Sequence, residues 1–284
     1  ALSLLLMLCS GCGTVGSLFS SDDNSLPPSE LKPINQAVAV QQIWSRSVSS
    51  GNSDEFVELR PALTQDRLFV AGYKGDIAAL NAANGQVLWQ SDIDLPISAG
   101  VGVGNDLVLV GTIDGDVVAL RQSDGGEAWR IRVSSEVLAP PQAAEGIVIV
   151  RTVDGNFTAL DAVSGSRLWG YSYSVPVLSL RGTSAPIVAQ GAVLTGLDTG
   201  KLLVLQLNTG VPVWEKTIAP ARGRTELERI VDIDAQPRLV NNELYAVTYQ
   251  GNVTAINLTS GNTLWTRSFS SYSGLDVDSR QVYI

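Results

Sequence analysis

The chain has 284 residues, of which 45% are hydrophobic and 17% charged, with 27 glycines and a net charge of -9. That apolar content excludes a disordered polymer, and the acidic balance argues against a nucleic-acid partner, which selects basic surfaces. There is no His, which removes Ser-His-Asp and Cys-His triads and every His-ligated metal site from consideration.

In chain order, the first element is a short apolar run, residues 2–8 (LSLLLML), too short to span a bilayer. Cys9-Ser10-Gly11-Cys12 follows, and the remaining chain holds no cysteine, so its body carries no disulfide framework. An apolar stretch ending in small residues and a cysteine resembles a bacterial lipoprotein signal. Residues 1–11 then read as a signal-peptide remnant and Cys12 as the lipid acceptor, with Cys9 where the usual pattern has Leu. Gly13, rather than Asp, follows Cys12, which in such lipoproteins implies sorting to the outer membrane. Residues 12–35 are rich in Ser, Asp and Pro beyond the cysteine and read as a tether.

From residue 36 onward the chain is repetitive, and five segments align without a gap. They are residues 75–89 (GDIAALNAANGQVLW), 115–129 (GDVVALRQSDGGEAW), 155–169 (GNFTALDAVSGSRLW), 200–214 (GKLLVLQLNTGVPVW) and 251–265 (GNVTAINLTSGNTLW). Each has Gly at place one, Leu or Ile at place six, Gly at place eleven and Trp at place fifteen. Trp89, Trp129, Trp169, Trp214 and Trp265 are thereby used, and Trp44 precedes them; successive spacings are 45, 40, 40, 45 and 51.

Every unit reads as strands and tight turns. An apolar strand (residues 67–72 in the first copy) meets a turn whose Gly supplies the positive φ of a two-residue hairpin. A second, almost continuously apolar strand (77–81) follows, then a turn at Asn84-Gly85, then a strand carrying the Trp. One more strand is expected near Pro61-Ala62-Leu63. A four-stranded meander every 40–50 residues is the sequence signature of a β-propeller blade, so the fold class is all-β, with 36–284 as the propeller. The Trp is expected on the outer strand, packed against the next blade. The one helical turn expected is at residues 225–230.

Residues 41–48 with Trp44 read as an isolated last strand, the piece by which a propeller closes on its other end. Residues 278–284 read as a turn and half a strand. The expectation is therefore five complete blades, one closing strand and the start of a sixth blade. About 100 further residues would complete the ring on this repeat period, and two open blade edges would favour aggregation.

Function in repeat proteins gathers where insertions break the period. After Trp169 the connection is five residues longer than in the preceding copies and carries Leu178, Leu180 and Arg181; after Trp214 it is longer again and carries Asp232 and Asp234. Both occupy the same connection of adjacent blades, so they are expected side by side on one face. Leucines beside an arginine and two carboxylates suit an apolar hot spot with a polar rim. In the competing structural reading, the leucines are core and Arg181 bridges Asp232 or Asp234. The Asp-x-Asp pair lacks the Asn, Gly and Glu of a calcium loop, so no metal is assigned.

The Leu-x(4)-Gly-x(3)-Trp nucleus resembles the tryptophan-docking repeat of quinoprotein-like propellers. Together with the cysteine signal, the acidic tether and the stretches VPVLSLRGTSAP and RIVDIDAQP, it makes the whole chain similar to the BamB family. Members are lipoproteins of the outer-membrane β-barrel assembly machinery of Gram-negative bacteria. The resemblance implies an eight-bladed, non-enzymatic propeller with no cofactor, lipid-anchored in the outer membrane and facing the periplasm. It implies binding to the POTRA domains of BamA through Leu178, Leu180, Arg181, Asp232 and Asp234, with unfolded outer-membrane proteins as further candidate partners. An alternative that shares the repeat is a quinoprotein dehydrogenase using pyrroloquinoline quinone and Ca²⁺. Such enzymes carry a vicinal Cys pair, which this body lacks. A periplasmic adaptor unrelated in function is the other alternative, because a fold does not fix a function.

Overall fold

The computed structural model describes residue 33 and residues 39–284; Cys12, the signal-peptide remnant and most of the tether lie outside the described residues. The described chain is a β-propeller of four-stranded antiparallel meanders. Blade one comprises β1 (Ala62–Leu63), β2 (Arg67–Ala71), β3 (Asp76–Asn81) and β4 (Val87–Asp92). Blade two comprises β5 (Ile97–Gly104), β6 (Leu107–Thr112), β7 (Asp116–Arg121) and β8 (Glu127–Arg132). Blade three has β9 (Gln142–Ala144), β10 (Ile147–Arg151), β11 (Asn156–Asp161) and β12 (Arg167–Ser172), and blade four β13 (Ile187–Ala189), β14 (Ala192–Gly196), β15 (Lys201–Gln206) and β16 (Pro212–Thr217). Blade five has β17 (Arg238–Val240), β18 (Glu243–Val247), β19 (Asn252–Asn257) and β20 (Thr263–Ser268). A two-stranded hairpin, β21 (Asp276–Val277) and β22 (Val282–Tyr283), follows where a sixth blade was expected to begin.

The third strand is buried on both faces in four of the five blades, as its almost continuous apolar run requires: β3, β7, β15 and β19 each hide their four central residues, while β11 leaves Thr158 half-buried. The cores lie between blades rather than within them. Phe69, Ile77 and Trp89 of blade one, for example, pack with Ile97, Val108 and Val118 of blade two. The same arrangement joins blades two to three, three to four and four to five.

The tryptophans make these joints. The indole N–H of Trp89 donates to Gln122 O at 2.9 Å, Trp129 to Ala162 O at 2.9 Å, Trp169 to Leu207 O at 2.7 Å and Trp214 to Leu258 O at 3.0 Å. Each acceptor belongs to the following blade. Each ring also lies on that blade's place-eleven glycine: a Cβ built on Gly125 would sit 2.5 Å from Trp89 Cε3, and one on Gly210 2.4 Å from Trp169 Cε3. Those glycines hold φ near +70° as well, so both the turn and the ring exclude a side chain. Trp265 packs against Tyr245 of its own blade, with Arg267 over its ring.

A bulge recurs in every blade just before the tryptophan. Leu80 pairs with Val87 but Ala79 pairs with Trp89, leaving Leu88 as the extra residue, and the same shift occurs at the equivalent place in the other four blades. This accounts for the exposed apolar side chains Leu88, Leu168, Val213 and Leu264, all at place fourteen.

Two expectations need correction. Residues 41–48 form no strand among the described residues, because no neighbouring strand is present there to pair with their backbone. Trp44 nevertheless docks as the others do, donating to Ala82 O at 2.9 Å and lying on Gly85. The docking interaction therefore does not need the strand that carries it. At Gly251 the expected positive φ is absent; Gln250 takes it instead, at +48°. The turn expected at 225–230 is a single 3-10 turn, Leu227–Arg229.

Removing a docked ring should cost more than removing one that packs within its own blade. We expect Trp89→Ala to lower stability by about 3–5 kcal/mol and Gly125→Ala to destabilise as well, while Trp265→Ala costs less than Trp89→Ala. Urea titrations of the three variants check the order.

Candidate functional site

The two long connections meet, as their shared position in adjacent blades predicts. The first runs from β12 to β13 and the second from β16 to β17. Asp232 Oδ2 accepts the backbone N–H of Leu180 at 2.6 Å. Two residues on, Gly182 lies against the Asp234 carboxyl, where a Cβ would fall 2.7 Å from its Cγ. Five residues expected from the sequence to share a face are thus brought together by one hydrogen bond and one close backbone approach.

Their exposure divides them. Val177 and Leu178 face solvent, at 97% and 40%, and Arg181 is exposed; Leu180 is half-buried. Asp232 is buried, at 1%. Arg181 does not bridge the carboxylates, so the competing structural reading fails on that point. Its Nη2 pairs with Glu136 Oε1 at 2.9 Å and its Nε donates to Phe56 O at 3.3 Å. The Tyr272 hydroxyl reaches the Arg181 carbonyl at 3.4 Å. The site opens onto a cavity of about 760 Å³, lined in part by Phe56, Arg181, Asp234, Arg238 and Tyr272.

The carboxylates sit in an unfavourable environment. Asp232 Oδ1 and both oxygens of Asp234 are buried without a hydrogen-bond partner in the protein. Burial pushes Asp232 up to about 6, opposed by the Leu180 amide. Burial, then the neighbouring charges of Asp232 and Asp198, pushes Asp234 up to about 7. Asp234 rises further because it accepts no amide and stands beside a second carboxylate. Among the described residues no group of three or more His, Cys, Asp or Glu is placed to hold a metal ion.

Sequence reasoning missed the cluster beneath this site. Arg151, at the end of β10, is 1% exposed. Its Nη1 donates to Gly196 O at 2.7 Å and Ser184 O at 3.2 Å, and its Nη2 to Asp198 Oδ1 at 2.7 Å and the Tyr173 hydroxyl at 2.6 Å. The Tyr173 hydroxyl donates in turn to Asp198 Oδ2 at 2.9 Å. The repeat carried the signal. Four residues before place one, the other copies have Ala71, Gly111, Gly196 and Val247, and blade three alone has an arginine.

The raised carboxylates fix a pH dependence. Asp234 holds its proton more tightly folded than unfolded, so folding takes up a proton between the ordinary carboxylate range and about pH 7. Stability therefore falls as pH rises through that window. Asp234→Asn should flatten the decline and be more stable than the parent at pH 8, the two converging near pH 4. Thermal unfolding across pH 4–8 measures this.

Comparison with known proteins places this geometry in a family. The family profile described as outer membrane protein assembly factor BamB matches residues 37–90 and 73–284. Outer membrane protein assembly factor BamB of Pseudomonas aeruginosa is 52% identical over 284 residues, covering 100% of this chain and 73% of the relative. That of Escherichia coli is 36% identical, covering 99% and 73%. The crystal structure of BamB from Moraxella catarrhalis superposes with a TM-score of 0.74 at 30% identity, over 79% of this chain and 68% of the other. A quinohemoprotein alcohol dehydrogenase from Pseudomonas putida, at 17% identity and a TM-score of 0.58, shares the fold alone. With blades, docking tryptophans and paired connections all in place, the chain belongs to the outer membrane protein assembly factor BamB family.

Proposed function

We propose that the chain serves outer-membrane protein assembly as a non-enzymatic scaffold of the β-barrel assembly complex, and that it does so by binding the POTRA domains of BamA. The observation that carries this reading is the joining of the two connections by the Leu180 N–H to Asp232 bond. It creates one surface from residues 52 positions apart. On that surface Leu178 offers an exposed apolar anchor and Arg181 an exposed charge paired with the largely buried Glu136. Asp234 backs that surface with a carboxyl whose buried oxygens lack hydrogen-bond partners and which lies against the Gly182 backbone.

On this proposal Cys12 carries the lipid that holds the protein at the outer membrane with the propeller in the periplasm, and residues 12–35 give the propeller reach. No helix among the described residues is long and apolar enough to cross a membrane. Unfolded barrel precursors are a second class of partner, presented to the insertase while the propeller is docked on it.

The test is capture of purified BamA POTRA domains by Leu178→Ala, Arg181→Ala and Asp234→Ala variants. Each should weaken capture about tenfold or more, the range of a hot-spot residue. Undiminished capture by all three would overturn the site.

A further inference from the structure

The docking loop is held by polar contacts at both of its ends. Beneath residues 179–183 lies a cavity of about 280 Å³, lined also by Arg151, Thr152, Glu136 and Asp198. Besides the contacts of Arg181 at its middle, the loop has polar contacts of opposite sign at its two ends. At its start, the Asp232 carboxylate accepts the N–H of Leu180. At its end, the Arg151 guanidinium donates to the carbonyl of Ser184. The Ser184 hydroxyl adds a bond to Ala235 O at 3.1 Å, on the same connection as Asp232.

Arg151 is well built for such a hold. Tyr173 and Asp198 fix its second nitrogen, and it lies over the rings of Phe157 and Tyr173 at 5.6 and 5.7 Å. Gly196 O takes the other bond of the nitrogen that reaches Ser184. A buried ion pair adds little net stability over apolar residues of the same volume, so its contribution here lies in where it puts its partners. The aligned copies hold Ala, Gly, Gly and Val at this place, and only blade three, which feeds this loop, departs from small apolar residues.

We propose that Arg151 and Asp232 are the positioning residues of the docking loop: they grip residues 180–184 at both ends and touch no partner themselves. This rests on the docking surface proposed above. It also gives Asp232 a role different from that of its neighbours, since a carboxylate at 1% exposure that already binds Leu180 holds the surface rather than forming it.

The test is carried out on the full chain with a readout that needs no partner: trypsin cleavage after Arg181, mapped by mass spectrometry, beside POTRA capture and thermal unfolding. Arg151→Met and Asp232→Ala should each speed that cleavage about tenfold, the effect of losing one hydrogen bond to a charged group, and weaken capture in parallel. Asp232→Asn, whose amide oxygen still accepts the Leu180 N–H, should recover the slow cleavage that Asp232→Ala loses. If Arg151→Met does not fold, the comparison of Asp232→Asn with Asp232→Ala decides. Cleavage at the parent rate in folded Arg151→Met and Asp232→Ala overturns the proposal, even where Leu178→Ala weakens capture. Fast cleavage with undiminished capture by Leu178→Ala, Arg181→Ala and Asp234→Ala upholds the grip and overturns the docking surface instead.

Discussion

An indole lying on the glycine of the next blade is the interaction on which this molecule depends. A β-blade is apolar on both faces and has no core of its own, so its burial is decided by how its neighbour sits. The docked ring sets that distance twice over, by filling the space a Cβ would take and by donating to a backbone carbonyl of the neighbouring turn. Trp44 docks in the same way although its own backbone forms no ladder.

Once the blades are spaced, connections at equivalent places must lie next to one another, whatever their sequence separation. The protein uses this to build a surface from two loops that neither blade could make alone. It tolerates a cost there. Two carboxylates are buried with three oxygens lacking partners, close to a third acid, Asp198, and they are pushed toward neutrality. Perturbed carboxylates of this kind cluster at functional sites.

Much of this was legible in the sequence, and the reason is periodicity. Glycine, leucine, glycine and tryptophan at fixed places identify turn, buried strand, turn and dock, and an insertion of five residues stands out against a 40-residue period. The neighbourhood of Leu180 and Asp232 followed from the count alone. The bulge did not, because an extra residue at place fourteen leaves the ungapped repeat intact; it shows only as Leu88, Leu168, Val213 and Leu264 turned outward. The partner of Arg181 was also hidden. Glu136, between β8 and β9, and Phe56, before β1, reach it through contacts 45 and 125 residues apart that no local pattern encodes. Arg151 was visible as a departure from the repeat, but its meaning needed the carbonyl of Ser184 beside it.

The central claim is that blade docking makes the two connections one surface, through the bond between Leu180 and Asp232. Native-state hydrogen exchange at the Leu180 amide tests it most directly. Exchange should be far slower at Leu180 than at exposed Val177 or Leu178, although all lie in one irregular segment, and should rise to match them in Asp232→Ala. A Leu180 amide that exchanges as fast as its exposed neighbours in the unaltered chain would contradict the account.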